Sequence, residues 1–235
     1  MQKTNLDLVI EKKAAADKAI EFIESGMIVG LGTGSTVKFF IESLAEKIGD
    51  GLIIKTVSTS NATGAMLESL GIEVVELNAV EKIDVTIDGA DEVDSQLNGI
   101  KGGGGALLYE KIVSSASQKN IWIIDSSKFV KQLGNFPLPV EVVPFGSNHT
   151  FTKLVQLGYS PKFRMKENKN FISDGGHNII DLKLNKIVYP LKINNELQLI
   201  PGVVETGLFL NICDIVIIGR GKECDVIESE RLKTD

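Results

Sequence analysis

The sequence predicts an α/β fold, a Rossmann-like parallel-sheet domain with a smaller inserted α+β lobe. Three observations carry this. Short β-branched runs alternate with amphipathic stretches through the first half of the chain. After about residue 132 the alternation gives way to a proline-rich segment and short hairpin-like strands. Near the C-terminus, DIVII at 214–218 again has the look of a buried parallel strand. The chain has 235 residues, 43% of them hydrophobic and 24% charged. That is enough for one medium domain and a lobe, and too apolar for a disordered chain.

Taken in order, MIVGL (27–31), IIKTV (53–57), DVTID (84–88) and NIWIID (120–125) read as buried strands. Between them lie helix-like segments at 35–48, 61–71 and 105–118. In the first, Val37, Phe40, Ile41, Leu44, Ala45 and Ile48 recur at three- and four-residue steps and share one helix face. NFPLPVEVVPF holds three prolines, which suits an edge strand or an extended connection and not a central strand. A helix at 148–157, a strand near 160–165, the turn SDGGHN, a strand near 178–182 and a helix at 193–200 follow. The expected division is residues 1–132 plus 207–235 for the sheet domain, and 133–206 for the lobe.

Composition closes several doors. Twenty-five basic against 31 acidic residues leave a net charge of −6, unsuited to general nucleic-acid binding. A small phosphorylated ligand needs only a local positive pocket. Cys213 and Cys224 form neither a disulfide framework nor a zinc motif. They read as buried thiols of a reducing cytoplasm. The N-terminus has no continuous apolar stretch, so no signal peptide is expected. GVVETGLFLNICDIVIIG is broken by Glu205, Asn211 and Asp214, so no membrane span is expected. His149 and His177 are the only histidines and sit in no ligand motif.

The glycine clusters hold the chemistry. VGLGTGSTV follows a strand and opens a helix, a turn where free N–H groups and the helix dipole favour an anion, with hydroxyls from Ser35 and Thr36. It is not the dinucleotide fingerprint, whose third glycine falls on Ser35, nor a nucleotide P-loop, for it has no lysine. A plain glycine turn with a Ser/Thr helix cap is the bland alternative. DVTIDGADEVD sets Asp88 at a strand's carboxyl end, where ligands of open sheets gather, with small Gly89 and Ala90 before Asp91. Of Asp91, Glu92 and Asp94, at least two are expected to face solvent. KGGGGALLYEK spends four consecutive glycines, costly in chain entropy and useful where backbone amides crowd a ligand. Glu110, five residues past Gly105, can reach back toward that loop as a base beside a carbonyl. By itself Glu110 would more readily read as an exposed, lysine-paired helix residue. Lys128, after the strand end at Asp125, can lend charge to an anion or simply face solvent.

Together the blocks GLGTGST, DGADEVD, KGGGGAL…EK, DSSK, LPVEVVPF, SDGGHNII and IPGVVETGLF, in this order, resemble the A-type ribose-5-phosphate isomerases over about residues 30–209. The resemblance implies interconversion of D-ribose 5-phosphate and D-ribulose 5-phosphate. Thr33, Gly34, Ser35 and Thr36 would hold the phosphate, assisted by Lys128 and Lys12. Asp88, Gly89, Ala90 and Asp91 would lie by the sugar oxygens. Lys101, Gly102, Gly103 and Gly104 would line the reaction centre, and Glu110 would accept the proton. It further implies a homodimer or homotetramer with a small-molecule sugar phosphate as its partner, and no metal or organic cofactor. Two other classes compete: a sugar-phosphate sensor, and a deaminase or CoA transferase on a similar scaffold. Only about 26 residues precede the first strand, too few for a DNA-binding helix-turn-helix. The Lys101–glycine–Glu110 constellation favours the isomerase.

Overall fold

A computed structural model of the protein describes residues 3–230. The ends of the expected sheet domain, residues 1–2 and 231–235, lie outside these. The chain forms two units. The first takes the residues up to Ala90, Glu110–Phe129 and the residues from Ile212 on; the second takes Asp91–Tyr109 and Val130–Asn211. Residues 91–109, 130–132 and 207–211, expected in the sheet domain, therefore sit in the second unit. The cause is a three-stranded antiparallel sheet that joins Leu208–Phe209, Gly99–Ile100 and Glu92–Val93. Strands of two residues leave no periodicity to read.

The first unit is built on a six-stranded sheet. Its order is Glu223–Glu228, Ile215–Arg220, Asn120–Asp125, Val85–Asp88, Ile28–Leu31 and Lys55–Ser58. All neighbours are parallel except the first pair. Val29, Val85, Ile87, Ile121, Ile123 and Ile217 are buried with Phe40, Ile41 and Leu44 of the helix Ser35–Gly49. Covering helices explain why these strands read as unbroken apolar runs. Two elements escaped the reading. The helix Asn5–Ala19 buries Ala15, Ala16 and Ala19, so its inner face carries methyl groups and little hydrophobic contrast. It opens with a capping box, Thr4 Oγ1 accepting from the Asp7 amide at 3.2 Å and Asp7 Oδ2 from the Thr4 amide at 2.9 Å. The strand Glu223–Glu228 is an edge with mostly exposed side chains.

The second unit holds a four-stranded antiparallel sheet in the order Val203–Thr206, Leu138–Val142, Asn178–Leu182, Pro161–Phe163. Helices Ser147–Gln156 and Pro190–Gln198 accompany it, and Leu138, Val140, Val142, Leu154, Ile180, Leu182 and Leu197 share its core. Contrary to the expectation from its prolines, Leu138–Val142 is a central strand, paired on both sides. Pro139 is tolerated because the ladder to Val203–Thr206 ends at Val140, opposite Thr206. A Cβ on Gly207 would lie 2.7 Å from Pro139 Cδ, so the ring rests against a residue with no side chain. The missing donor thus falls where the ladder asks for none. The last helix begins at Pro190, earlier than expected, because proline suits the first helical turn. No described helix is long and apolar enough to cross a membrane.

Candidate active site

In the first unit the turn after Ile28–Leu31 forms the N-terminus of the helix Ser35–Gly49. Its N-cap is Gly34, at φ 138°, with no side-chain cap and no acidic residue in the first turn. The Ser/Thr cap of the bland alternative is therefore absent there. The first-turn amides have no helical acceptor, and the positive end of the dipole stays uncompensated. Ser35 is exposed, and Lys12 Nζ donates to its Oγ at 3.0 Å. The same Nζ lies 3.9 Å from Asp125 Oδ2.

The other two hydroxyls of the turn point elsewhere. Thr36 is buried. Thr33 Oγ1 donates to Ser60 Oγ at 2.7 Å and lies within 3.0 Å of Thr59 Oγ1 and 3.2 Å of Thr63 Oγ1. Thr63 Oγ1 donates to the Gly32 carbonyl at 2.9 Å. This hydroxyl cluster braces the turn from behind and was missed in the sequence. Its signal was there: VSTSNAT is a second strand-to-helix turn rich in Ser and Thr. Lys128 is half-buried in the short turn Ser126–Lys128 after Asp125.

Asp88 ends the strand Val85–Asp88 and is fully buried. Its Oδ1 accepts from the amides of Gly89 at 2.7 Å and Thr33 at 3.2 Å. A Cβ on Gly32 would stand 1.8 Å from that oxygen, and one on Gly30 1.9 Å from Thr86 Oγ1. These two glycines admit the neighbouring strand's side chains, while Gly34 supplies the unusual backbone angle. Glu110 lies in the first turn of the helix Leu107–Ser115 and is 3% exposed. The bland reading of Glu110 as a solvent-facing helix residue is thereby overturned.

The second unit carries the remaining residues. The Lys101 side chain is 1% exposed, its Nζ lies 5.3 Å from the Phe209 ring centroid, and its amide donates to the Gly207 carbonyl at 2.9 Å. Gly102, at φ 100°, starts a turn closed by the Gly105 amide on the Gly102 carbonyl at 3.0 Å. Gly103 and Gly104 are exposed at its tip. Asp91 Oδ2 accepts from the Gly103 amide at 2.7 Å. Glu92 is buried and accepts from Gly134 and Phe136 amides at 2.7 and 2.6 Å; Asp94 holds the Gln96 and Asn98 amides. None of the three acids is the plain solvent-facing group expected of two of them, because each satisfies backbone amides of a tight turn. Gly89 and Ala90 lead into Asp91, where the chain enters the second unit. Among the described residues no group of three or more His, Cys, Asp or Glu is placed to hold a metal ion.

In the first unit, a buried acid at the end of a parallel strand and an uncapped helix terminus with a lysine beside it are the equipment of an α/β enzyme. Comparison with known proteins makes this specific. The family model for ribose 5-phosphate isomerase A (phosphoriboisomerase A) matches residues 55–223. Ribose-5-phosphate isomerase A of Limosilactobacillus reuteri is 50% identical over 210 residues, 88% of this chain and 92% of that one. That of Levilactobacillus brevis is 47% identical over 220 residues, 93% and 96% of the two chains. The solved ribose 5-phosphate isomerase A of Neisseria gonorrhoeae superposes with a TM-score of 0.88 at 42% identity, covering 97% of this chain and 99% of that one. A D-ribose-5-phosphate isomerase solved in complex with phospho-erythronic acid gives 0.89 at 41% identity, covering 93% and 97%. The chain belongs to the ribose 5-phosphate isomerase A family. It is an isomerase that interconverts D-ribose 5-phosphate and D-ribulose 5-phosphate.

Proposed function

We propose that Glu110 is the base of this isomerisation and that it acts through an enediolate. Glu110 takes the proton from C2 of the open-chain aldose, and the freed electron pair moves onto the C1 carbonyl oxygen. The same carboxyl then returns the proton to C1, while the hydroxyl proton passes from O2 to O1. Asp88, its carboxylate fixed by two backbone amides, carries the oxygen-to-oxygen transfer and ring opening, with Asp91 as its partner in that work. Lys101 and the amides of Gly102 and Gly104 oppose the negative charge on the enediolate, a large source of rate in such reactions, while Gly103, its amide held by Asp91, lines the centre between them.

The phosphate is assigned to the amides of Gly34, Ser35 and Thr36, the Ser35 hydroxyl and the cations Lys12 and Lys128. Thr33 contributes by shaping the turn, because its hydroxyl is committed to the Thr59–Ser60–Thr63 cluster and its amide to Asp88. Gly89 and Ala90 supply close-lying backbone beside the sugar. The anchored phosphate provides orientation far from the reacting carbons. The reaction uses no metal and no organic cofactor. The protein is cytoplasmic, works in pentose phosphate metabolism and assembles as a homodimer or homotetramer; these rest on the family and not on the fold.

The burial of Glu110 carries this reading, since a carboxylate 3% exposed on a helix needs a reason to be there. Glu110→Gln keeps shape and removes the base. It is expected to bind phospho-erythronic acid, whose carboxylate shares the planar two-oxygen charge of an enediolate, and to lose turnover by at least ~10²-fold. Near-normal turnover in that variant would remove Glu110 from the role. Dialysis against a chelator should leave activity intact; loss with recovery on adding a divalent ion would contradict the metal-free scheme.

A further inference from the structure

The loop Lys101–Gly105 presents a physical problem. Glycine imposes no backbone conformation of its own, and ordering each residue costs about 1–2 kcal/mol. A loop that must aim amides at a developing charge needs an external hold, because only preorganised donors lower the barrier. The loop's own Gly105–Gly102 bond and the Asp91 carboxylate supply part of it. A further hold comes from about 60 residues along the chain, on an arginine that no motif singled out.

Arg164 lies between the short strands Pro161–Phe163 and Met165–Lys166. Its side chain is 15% exposed. Two of its three nitrogens form a fork on Asp181 of the strand Asn178–Leu182, Nε to Oδ2 at 3.0 Å and Nη2 to Oδ1 at 2.5 Å. That pairing fixes the plane of the guanidinium. The third nitrogen, Nη1, donates to the Gly102 carbonyl at 2.7 Å and the Gly103 carbonyl at 3.1 Å. An arginine with a merely structural surface pair would need only its first two arms.

The consequence follows from peptide planarity. In a trans peptide the carbonyl and the following amide point in opposite directions, and the described chain has no cis bond. The Gly102–Gly103 peptide is gripped at both ends, its carbonyl by Arg164 and its amide by Asp91 at 2.7 Å. The Gly103–Gly104 peptide is held by its carbonyl alone, which turns the Gly104 amide away from the guanidinium. Phe171 completes the hold: the guanidinium carbon lies 6.0 Å from its ring centroid, and a Cβ on Gly105 would come within 2.5 Å of ring carbons. The two consecutive peptide dipoles are thus pinned at their negative ends by one cation.

We propose that Arg164 is a positioning residue for the isomerisation, acting through the carbonyls of Gly102 and Gly103 to aim the loop amides and the adjoining Lys101. It does not itself touch the sugar. This rests on the assignment of Lys101 and the glycine amides to the enediolate. Lysine cannot replace it, because a single ammonium cannot fork onto Asp181 and also reach two carbonyls.

The test uses the full-length protein and three variants, Arg164→Lys, Arg164→Ala and Lys101→Met, with ribose 5-phosphate as substrate. Arg164→Lys is expected to lose kcat about 10- to 100-fold, with KM within about threefold and Tm within a few degrees of the parent. Arg164→Ala is expected to lose more and to regain several-fold on addition of about 50 mM guanidinium chloride, far below denaturing concentrations. Kcat within twofold of the parent in Arg164→Lys overturns the proposal. So does a loss that guanidinium leaves unchanged in a folded Arg164→Ala protein. If Arg164→Ala does not fold, the lysine variant decides: loss of kcat at unchanged Tm supports the role, and loss that comes with a fall in Tm overturns it. Lys101→Met separates the two levels. Full activity in that variant removes the loop's assignment, whereas its loss beside an unaffected Arg164→Lys removes Arg164 alone.

Discussion

At the residue scale, burial sorted the candidate acids. Sequence spacing put Asp88 after an apolar strand and Glu110 one turn into a helix, which identifies them as candidates and does not say which way they face. Asp88 at 0% and Glu110 at 3% exposure supply that second half. The neighbours that make these positions possible are glycines. Gly32→Ala would push a methyl into the Asp88 carboxylate, 1.8 Å from Oδ1, and kcat should fall at least tenfold. An alanine variant of full activity would show that Asp88 need not stay where the two amides hold it. Lys12 was legible only through the family likeness, since a lysine in a charged helix carries no local signal. Its bond to Ser35 Oγ at 3.0 Å gives it a physical role. Lys12→Ala should raise KM about tenfold, the worth of one charge-assisted hydrogen bond, and change kcat much less. The reverse split, seen in steady-state kinetics, would move Lys12 from the phosphate to the chemistry.

At the scale of elements, the strands of the parallel sheet were read to within one or two residues because burial on both faces writes itself as unbroken apolar runs. The helix Asn5–Ala19 was not, since its inward face is alanine and one acid. That acid, Glu11, ties the helix to the sheet. It is 2% exposed and accepts from the Ser126 hydroxyl at 2.7 Å, the Ser126 amide at 3.0 Å, the Gly221 amide at 3.2 Å and Lys3. Burial pushes its pKa up, but the Lys3 ammonium and the Ser126 and Gly221 donors outweigh this and bring it down to about 2. A carboxyl with a folded pKa below its unfolded value stabilises fully above the unfolded value. That share is lost as pH falls from about 4.5 through about 2. Glu11→Gln should therefore cost on the order of 2–3 kcal/mol at pH 7. The gap to the parent should narrow as urea titrations move from pH 5 to pH 3. A gap independent of pH over that range would assign the loss to packing. The strand Leu138–Val142 teaches the converse: its prolines argued for an edge, and only the end of the ladder at Val140 and the bare Gly207 reveal how a central strand keeps Pro139.

For the whole molecule, the α/β architecture was legible in the sequence, and the division of the chain seen in the structure was not. The sheet of the first unit is local βαβ repetition, which a linear reading sees. The second unit recruits residues 91–109 through strands of two residues paired with Leu208–Phe209, a contact more than 100 residues long in sequence. Such pairing has no local signature, and neither has the arm of Arg164 on the glycine loop. The chain crosses between the units at Ala90–Asp91, Tyr109–Glu110, Phe129–Val130 and Asn211–Ile212. Two of these crossings fall beside proposed catalytic residues. The most direct test of Glu110 as the proton carrier follows hydrogen itself. Ribulose 5-phosphate incubated in heavy water with the parent protein should exchange deuterium into the reacting carbon positions as it isomerises. Glu110→Gln, still binding phospho-erythronic acid, should leave those carbon–hydrogen bonds unlabelled over the same interval. Deuterium entering at the parent's rate in that variant would show that another group moves the proton.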